Sequence, residues 1–296
     1  MSQASVSKRP MAYVRLGTSG LKVSRIILGC MSYGSPEWQP WVLGEEDGVR
    51  QIKEAYDLGI QTFDTANVYS NGLSEVVLGK AIKKYNFPRE EIVVMTKVFG
   101  AVSHKINEHY YGVNVDEIGY VNQHGLSRKH IIESVKASLG RLGLEYIDVL
   151  QYYAITHNLT PFISMQNHYN LLYREEEREM IPTLKYFGVG SIPWSPLARG
   201  NLTRPLGEQT KRAGYIGAGV EDIINRVDKL AREKNVSMAQ LSLAWLLHKD
   251  VVSAPIVGST SVEKMKDIVG ALDVELTDEE MKYLEEPYQP VPIFGH

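Results

Sequence analysis

The chain has 296 residues, enough for one large domain or two small ones. Hydrophobic residues at 44% and charged residues at 23% exclude a disordered or fibrous chain, and a net charge of −3 leaves no electrostatic footprint for nucleic acid or an anionic membrane. The single cysteine, Cys30, excludes an internal disulfide; no apolar run reaches the ~18–20 residues that span a bilayer, and the opening MSQASVSKRP has no apolar signal core, so a cytoplasmic chain is expected.

Short apolar runs alternate with amphipathic stretches, the pattern of an α/β fold with a parallel sheet. Val23–Gly29 reads as the first strand. Glu46–Leu58 is its helix, with Val49, Ile52, Ala55 and Tyr56 on one stripe. Gln61–Ala66 is the second strand and Leu73–Tyr85 the second helix, which Ser74 could cap. Glu91–Lys97 follows as a third strand, with an apolar run suited to burial on both faces. A long polar loop occupies Phe99–Gly125. Ser127 then opens a helix that runs through Leu142, and Tyr146–Gln151 is the fourth strand.

The next strand-like run is Phe162–Gln166, with a helix over Arg174–Phe187. Gly188–Trp194 is the sixth run, and a glycine-bearing loop leads to helices Val220–Lys234 and Met238–Lys249, the latter capped by Ser237. Ser253–Gly258 is the last strand. A helix over Ser261–Leu272 follows, and the final helix starts at the capping-box pattern Thr277-Asp-Glu-Glu280. No linker or repeat divides this order, so residues 1–296 read as a single domain.

The length fits a (β/α)8 barrel of about 250 residues, but only seven strand-like runs are present. The join after the fourth is abnormal. Only Ala154–Pro161 separates Tyr153 from Phe162, and parallel strands need a crossover of at least about 10–12 residues. Either the two runs do not share one parallel sheet, or a piece of a regular barrel is absent. In the second case the missing strand leaves two unpaired edges, and a split, open barrel or poor solubility is expected.

No zinc motif, P-loop or nucleophile elbow is present, and the eight histidines show no ligand spacing, so no metal site is expected. The strongest constellation lies at strand C-terminal ends, where parallel barrels carry catalysis. Asp64 ends the second strand, Tyr69 follows in its loop, and Lys97 ends the third. A lysine ammonium near a phenol makes it a better acid, and a carboxylate fixes the ammonium. Such a tyrosine could protonate a carbonyl oxygen during reduction. The bland reading, three side chains lining a loop mouth, stays open on spacing alone.

The surrounding segments carry a resemblance. GIQTFDTANVYSNGLSEVVLGKAI at 59–82, VVMTKVF at 93–99, ASLGRLGLEYIDVLQ at 137–151 and APIVGSTSVEKMKDIV at 254–269 resemble successive signatures of the aldo-keto reductase family. FISMQNHYNLLYREEEREMIP at 162–182 and IPWSPLARGNL at 192–202 are similar to its branch of fungal aryl-alcohol dehydrogenases and aldehyde reductases. The resemblance implies a (β/α)8 TIM-barrel-type fold and reversible reduction of aldehydes or ketones with NADP(H). It further implies that Asp64, Tyr69 and Lys97 are catalytic, with Tyr69 the general acid/base. Gln166 would bind the nicotinamide carboxamide, and Trp194 would flank the ring. Ser195, Leu197, Gly200 and Leu202 would line the pyrophosphate loop. Gly258 and Ser259 would contact the adenosine phosphates, and Lys264 the 2′-phosphate. Gly29 and Met31 would lie on the nicotinamide side.

The chain departs from the family pattern at one place. The family's fourth strand ends in a histidine that orients the substrate carbonyl; the matching residue here is Tyr153, and neither His157 nor His168 fits the motif. The family's next helix, fifth strand and following helix are also missing near 152–160, a piece on the order of 50–60 residues at roughly 30 per βα unit. The barrel is therefore expected to be incomplete, with about seven strands. Two functions follow. One is an NADP(H)-dependent oxidoreductase acting on a small carbonyl or alcohol. The alternative is a truncated, catalytically impaired or inactive isoform that only binds nucleotide or a partner. No feature indicates an oligomeric state.

Overall fold

The structure, a computed structural model, describes residues 11–110, 112–151, 162–208 and 219–293. In chain order the elements run β1 (Tyr13–Arg15), β2 (Lys22–Ser24), β3 (Ile27–Gly29), α1 (Glu45–Asp57), β4 (Thr62–Asp64), α2 (Leu73–Tyr85), β5 (Val93–Lys97), α3 (Arg128–Leu142) and β6 (Val149–Gln151). They continue with β7 (Ser164–Met165), α4 (Met180–Phe187), β8 (Gly190–Ser191), α5 (Val220–Glu233), α6 (Met238–Leu247), β9 (Ile256–Val257), α7 (Val262–Val269) and α8 (Asp278–Glu285). These fall into two compact units, one of Ile27–Pro161 with Gly258–Val262, the other of Met1–Ile26, Phe162–Val257 and Glu263–His296.

In the first unit β3, β4, β5 and β6 are parallel neighbours, joined by helices as βαβ units require. Gly29 stands opposite Asp64, Asp64 opposite Met95, and Lys97 opposite Gln151. The strands are buried because helices cover them. Helix α1 turns Val49, Ile52 and Ala55 inward. Helix α2 lies close on α3 at Gly79, where an added Cβ would sit 2.3 Å from the Leu142 carbonyl oxygen. The Ser127 hydroxyl accepts the His130 N–H and caps α3.

In the second unit β1 and β2 form an antiparallel hairpin, and β7 pairs in parallel with β8. Backbone bonds extend this pairing beyond the short strands: Trp194 N–H donates to the Asn167 carbonyl at 2.9 Å, Ser191 N–H to Val251 at 3.0 Å and Ile256 N–H to Pro193 at 2.8 Å. Trp245, Tyr169, Leu241, Ile223, Val227 and Leu284 form the centre of its core. Capping boxes at Ser237–Gln240 and Thr277–Glu280 start α6 and α8.

The architecture is α/β of the (β/α)8 type and incomplete. Among the described residues β5 is the one strand neighbour of β6, and β8 that of β7. The segment Ala154–Pro161, with Tyr153 and His157, lies outside the described residues. Several boundaries differ from the sequence reading. Val23–Gly29 is not one strand: Lys22–Ser24 pairs with an unforeseen strand at Tyr13–Arg15, and a new strand begins at Ile27. Helix α2 is preceded by Gly72 at φ 96°, not capped by Ser74; the Ser74 hydroxyl instead donates to the Cys30 carbonyl at 2.8 Å. The helix expected over Arg174–Phe187 begins as a 3-10 turn at Glu175–Glu177 and becomes α-helical only at Met180.

Candidate active site

The first unit brings Asp64, Tyr69 and Lys97 together. Asp64 ends β4 and stands opposite Met95 in β5; Lys97 is two residues further on, so both side chains project from one face of the sheet. The Lys97 ammonium donates to Asp64 Oδ2 at 2.7 Å and to the Thr65 carbonyl at 2.7 Å. It also lies 4.8 Å from the centre of the Tyr69 ring. Asp64 is buried and Lys97 about one-fifth exposed, with a side-chain relative exposure of 21%. Burial opposes the lysine's charge, but Asp64 and Tyr69 outweigh it and hold the Lys97 pKa above the ordinary lysine value. The group is therefore a permanent cation at neutral pH. Burial pushes the nearby Cys30 thiol up, with the Asp64 charge adding to the effect, so that sulfur is no nucleophile.

Tyr69 stands on an unusual turn. Ser70 (φ 48°, ψ 38°), Asn71 (φ 48°, ψ 44°) and Gly72 (φ 96°, ψ −15°) follow it in left-handed backbone. Two non-glycine residues there cost about 1–2 kcal/mol each, so the turn needs outside support. It has it. Ser70 Oγ accepts the Ser35 N–H at 3.3 Å, and the Asn71 amide bonds to the loop after β5. No element of the sequence pattern announced this; only the glycine at 72 hinted at a left-handed position.

Other expected residues lie in the same unit. Gly29 ends β3 beside Asp64, and Met31 sits in the 3-10 turn Cys30–Ser32. Gly258 lies over this turn: a Cβ there would be 3.2 Å from Ser32 Oγ and 3.7 Å from the Gly29 carbonyl oxygen. The Ser259 hydroxyl is engaged in its own turn, donating to the Ser261 carbonyl at 2.8 Å, while its carbonyl accepts from Tyr33 at 3.1 Å. Among the described residues no group of three His, Cys, Asp or Glu stands close enough to hold a metal ion.

Gln166, Trp194, Ser195, Leu197, Gly200, Leu202 and Lys264 belong to the second unit. Gln166 is half-buried just past β7. One face of Trp194 stacks on His168 (centroids 4.1 Å apart, 12° between planes), and His168 stacks in turn on Tyr173 at 4.3 Å. His168, which fits no motif, is thus part of the Trp194 environment. Burial, then the charge of Arg199, draws its pKa down to about 4, so the imidazole is neutral at pH 7. The Ser195 carbonyl accepts from the Asn170 amide at 2.9 Å. Ser195 (φ 51°) and then Ala198 (φ 47°), Arg199 (φ 56°) and Gly200 (φ 98°) in succession stand in left-handed backbone. Arg199 supplies a cation there, and the sequence reading passed over it. Leu202 is fully buried in the core, so it can line such a loop only with its backbone. Lys264 is exposed in the first turn of α7.

The sequence matches the model of the Aldo/keto reductase family over residues 25–154 and again over 151–289. A protein of Schizosaccharomyces pombe named as an aryl-alcohol dehydrogenase, C977.14c, is 46% identical over 350 residues, covering 98% of this chain and 99% of its own. Versiconal hemiacetal acetate reductase of Aspergillus parasiticus is 42% identical over 340 residues, covering 96% and 98%. Among solved structures, the holo form of aldo-keto reductase AKR11C1 from Bacillus halodurans superposes with a TM-score of 0.72 at 27% identity, covering 97% of this chain and 99% of that one.

Proposed function

The chain belongs to the aldo/keto reductase family, and on that premise we propose that it is an oxidoreductase interconverting aldehydes or ketones with alcohols by means of NADP(H), with Tyr69 as general acid/base. The observation that carries this reading is the convergence of the Lys97 ammonium, the Asp64 carboxylate and the Tyr69 ring at strand C-terminal ends. Asp64 keeps Lys97 charged and in place. The Lys97 charge favours loss of the Tyr69 proton, so the phenol gives its proton to the carbonyl oxygen and takes it back in the reverse direction.

The donor set fits a dinucleotide phosphate. The loop of Ser195, Leu197 and Gly200 carries the Arg199 cation, which suits phosphate oxygens, and Lys264 at a helix start suits a further phosphate. Gln166 would hold the carboxamide, and Trp194 would flank the ring. Gly29, Met31, Gly258 and Ser259 are proposed as further cofactor contacts, Gly258 by close backbone approach and Ser259 through its backbone. Bound there, NADP(H) supplies the hydride for the carbonyl carbon. The substrate would be a small carbonyl or alcohol, and the chain a single cytoplasmic domain over 1–296.

Tyr69→Phe removes the acid and keeps the ring under Lys97. Loss of aromatic-aldehyde reduction by about 100-fold or more, with NADPH binding followed by fluorescence unchanged, is the expected result; full activity in the variant would overturn the assignment.

A second reading rests on the break in the family match at residues 151–154 and on an alignment 350 positions long for a chain of 296 residues. Both point to an excised segment, taking with it the strand-end histidine that Tyr153 replaces. A chain that binds NADPH but turns over no aldehyde would establish this truncated, nucleotide-binding isoform instead.

A further inference from the structure

The loop after β5 is tied at its neck, where Gly125 N–H donates to the Phe99 carbonyl at 2.7 Å. Its body has its own small core of Ala101, Val115 and Tyr120 with Tyr110 packed against them. The Tyr110 hydroxyl lies 2.9 Å from Ser103 Oγ, 2.7 Å from Glu108 Oε2 and 3.0 Å from the Tyr120 hydroxyl. The loop is thus internally braced, and its position depends on a few links to the rest of the unit. The most concentrated is one side chain. Asn71 Nδ2 donates to the carbonyls of Lys105 at 3.0 Å, Ile106 at 3.2 Å and Glu108 at 3.0 Å, and Asn71 Oδ1 accepts the Ser103 N–H at 3.1 Å. Other links include His109, which bonds the Trp38 carbonyl at 2.8 Å, and Asn67, whose amide reaches the Gly100 carbonyl at 3.5 Å.

Asn71 is also two residues from Tyr69, in left-handed backbone that asparagine tolerates better than most residues. Its amide therefore joins the turn that aims Tyr69 to the loop that borders it. That loop presents an exposed aromatic ring, Phe99 at 66%, two residues beyond Lys97, and its Gly100 presses on Val68, the residue before Tyr69. We propose that Asn71 is the specificity-determining positioning residue of this site: by clamping residues 103–108 to the Tyr69 turn it holds the loop as a wall against which the aryl group of an aromatic carbonyl substrate rests. This deepens the proposed function and rests on it for the identity of the substrate.

Asn71→Gly removes all four bonds without adding backbone strain, and Asn71→Asp keeps the acceptor but loses the donor. Both should speed amide hydrogen exchange in residues 101–110 at least tenfold while helix α3 keeps its protection. Both should raise KM for benzaldehyde at least fivefold with any fall in kcat smaller than the rise in KM, leave KM for a short aliphatic aldehyde unchanged, and weaken benzoate binding, read by tryptophan quenching, about tenfold. Unchanged exchange in 101–110, exchange accelerated throughout the unit, or a fall in kcat with KM constant would overturn the proposal. Tyr69→Phe serves as the control: it loses turnover and keeps wild-type exchange in residues 101–110. Should the wild type reduce no aldehyde, the proposed function fails, and exchange and benzoate affinity alone decide for or against the clamp.

Discussion

Lys97 and His168 have opposite electrostatic fates for identifiable reasons. Lys97 is taken partly out of water beside a buried carboxylate, and the partner wins over burial. His168 is taken out of water between two rings with Arg199 as its charged neighbour, so burial and charge act in the same direction. The consequence for stability can be signed. The folded-state value of about 4 lies below the ordinary histidine value near 6.5. As pH falls below 6.5 the unfolded chain takes up the proton first, so this contribution is complete above pH 6.5 and is lost toward pH 4. His168→Phe keeps a ring in the stack and deletes the titration. The drop in urea midpoint between pH 7 and pH 5 should then be smaller than in the wild type; an equal drop would show that His168 is not the group responsible. The sequence made the meeting of Asp64, Tyr69 and Lys97 legible because their placement follows from adjacent strand ends. It did not reveal His168, Arg199 or Asn71, whose contacts arise from a stack, a left-handed loop and a set of amide bonds that no local spacing encodes.

Elements whose signals are local were read well from the sequence. Helix α2 spans Leu73–Tyr85 as the sequence predicts, and Ser127, Ser237 and Thr277 cap their helices, because a cap oxygen and the N–H that donates to it are three residues apart. Strands fared worse. Lys22–Ser24 and Ile27–Gly29 form one apolar run in sequence, but their partners are a hairpin strand at Tyr13–Arg15 and the distant β4. Pairing of that kind is set by tertiary contacts. Helix packing gives a sharp test. Alanine is a better helix former than glycine by about 1 kcal/mol, so Gly140→Ala in α3, where a Cβ meets nothing within 4 Å, should stabilise by roughly that amount. At Gly79 the same substitution puts a methyl 2.3 Å from the Leu142 carbonyl oxygen. Backbone on both sides cannot yield cheaply, and overpacking of about 1–3 kcal/mol exceeds the propensity gain. Gly79→Ala should therefore lower the urea midpoint while Gly140→Ala raises it; the same sign in both would refute close packing of α2 on α3.

For the molecule as a whole, length alone suggested a complete barrel, and the distribution of that length argued against it. The two segments of the family match meet at residues 151–154, and among the described residues β6 and β7 each have one strand neighbour. In a closed barrel every strand has two, and a strand without its neighbour would leave a row of backbone N–H and C=O groups and an uncovered apolar face. If an excised segment is the cause, restoring it should remove these liabilities together. Grafting the corresponding residues of versiconal hemiacetal acetate reductase between Gln151 and Phe162 supplies a strand and its helices in the right place. The grafted chain should bind much less of the dye ANS, which reports exposed apolar surface, remain soluble at higher concentration, and unfold in a single cooperative transition at least 10 °C above the present chain, a shift of about 2–5 kcal/mol for a domain this size. Restoration of the strand-end histidine by the same graft should also raise aldehyde turnover. Equal ANS binding and melting in the two chains would mean that this sequence closes on itself without the segment, and the incomplete barrel would be its native form.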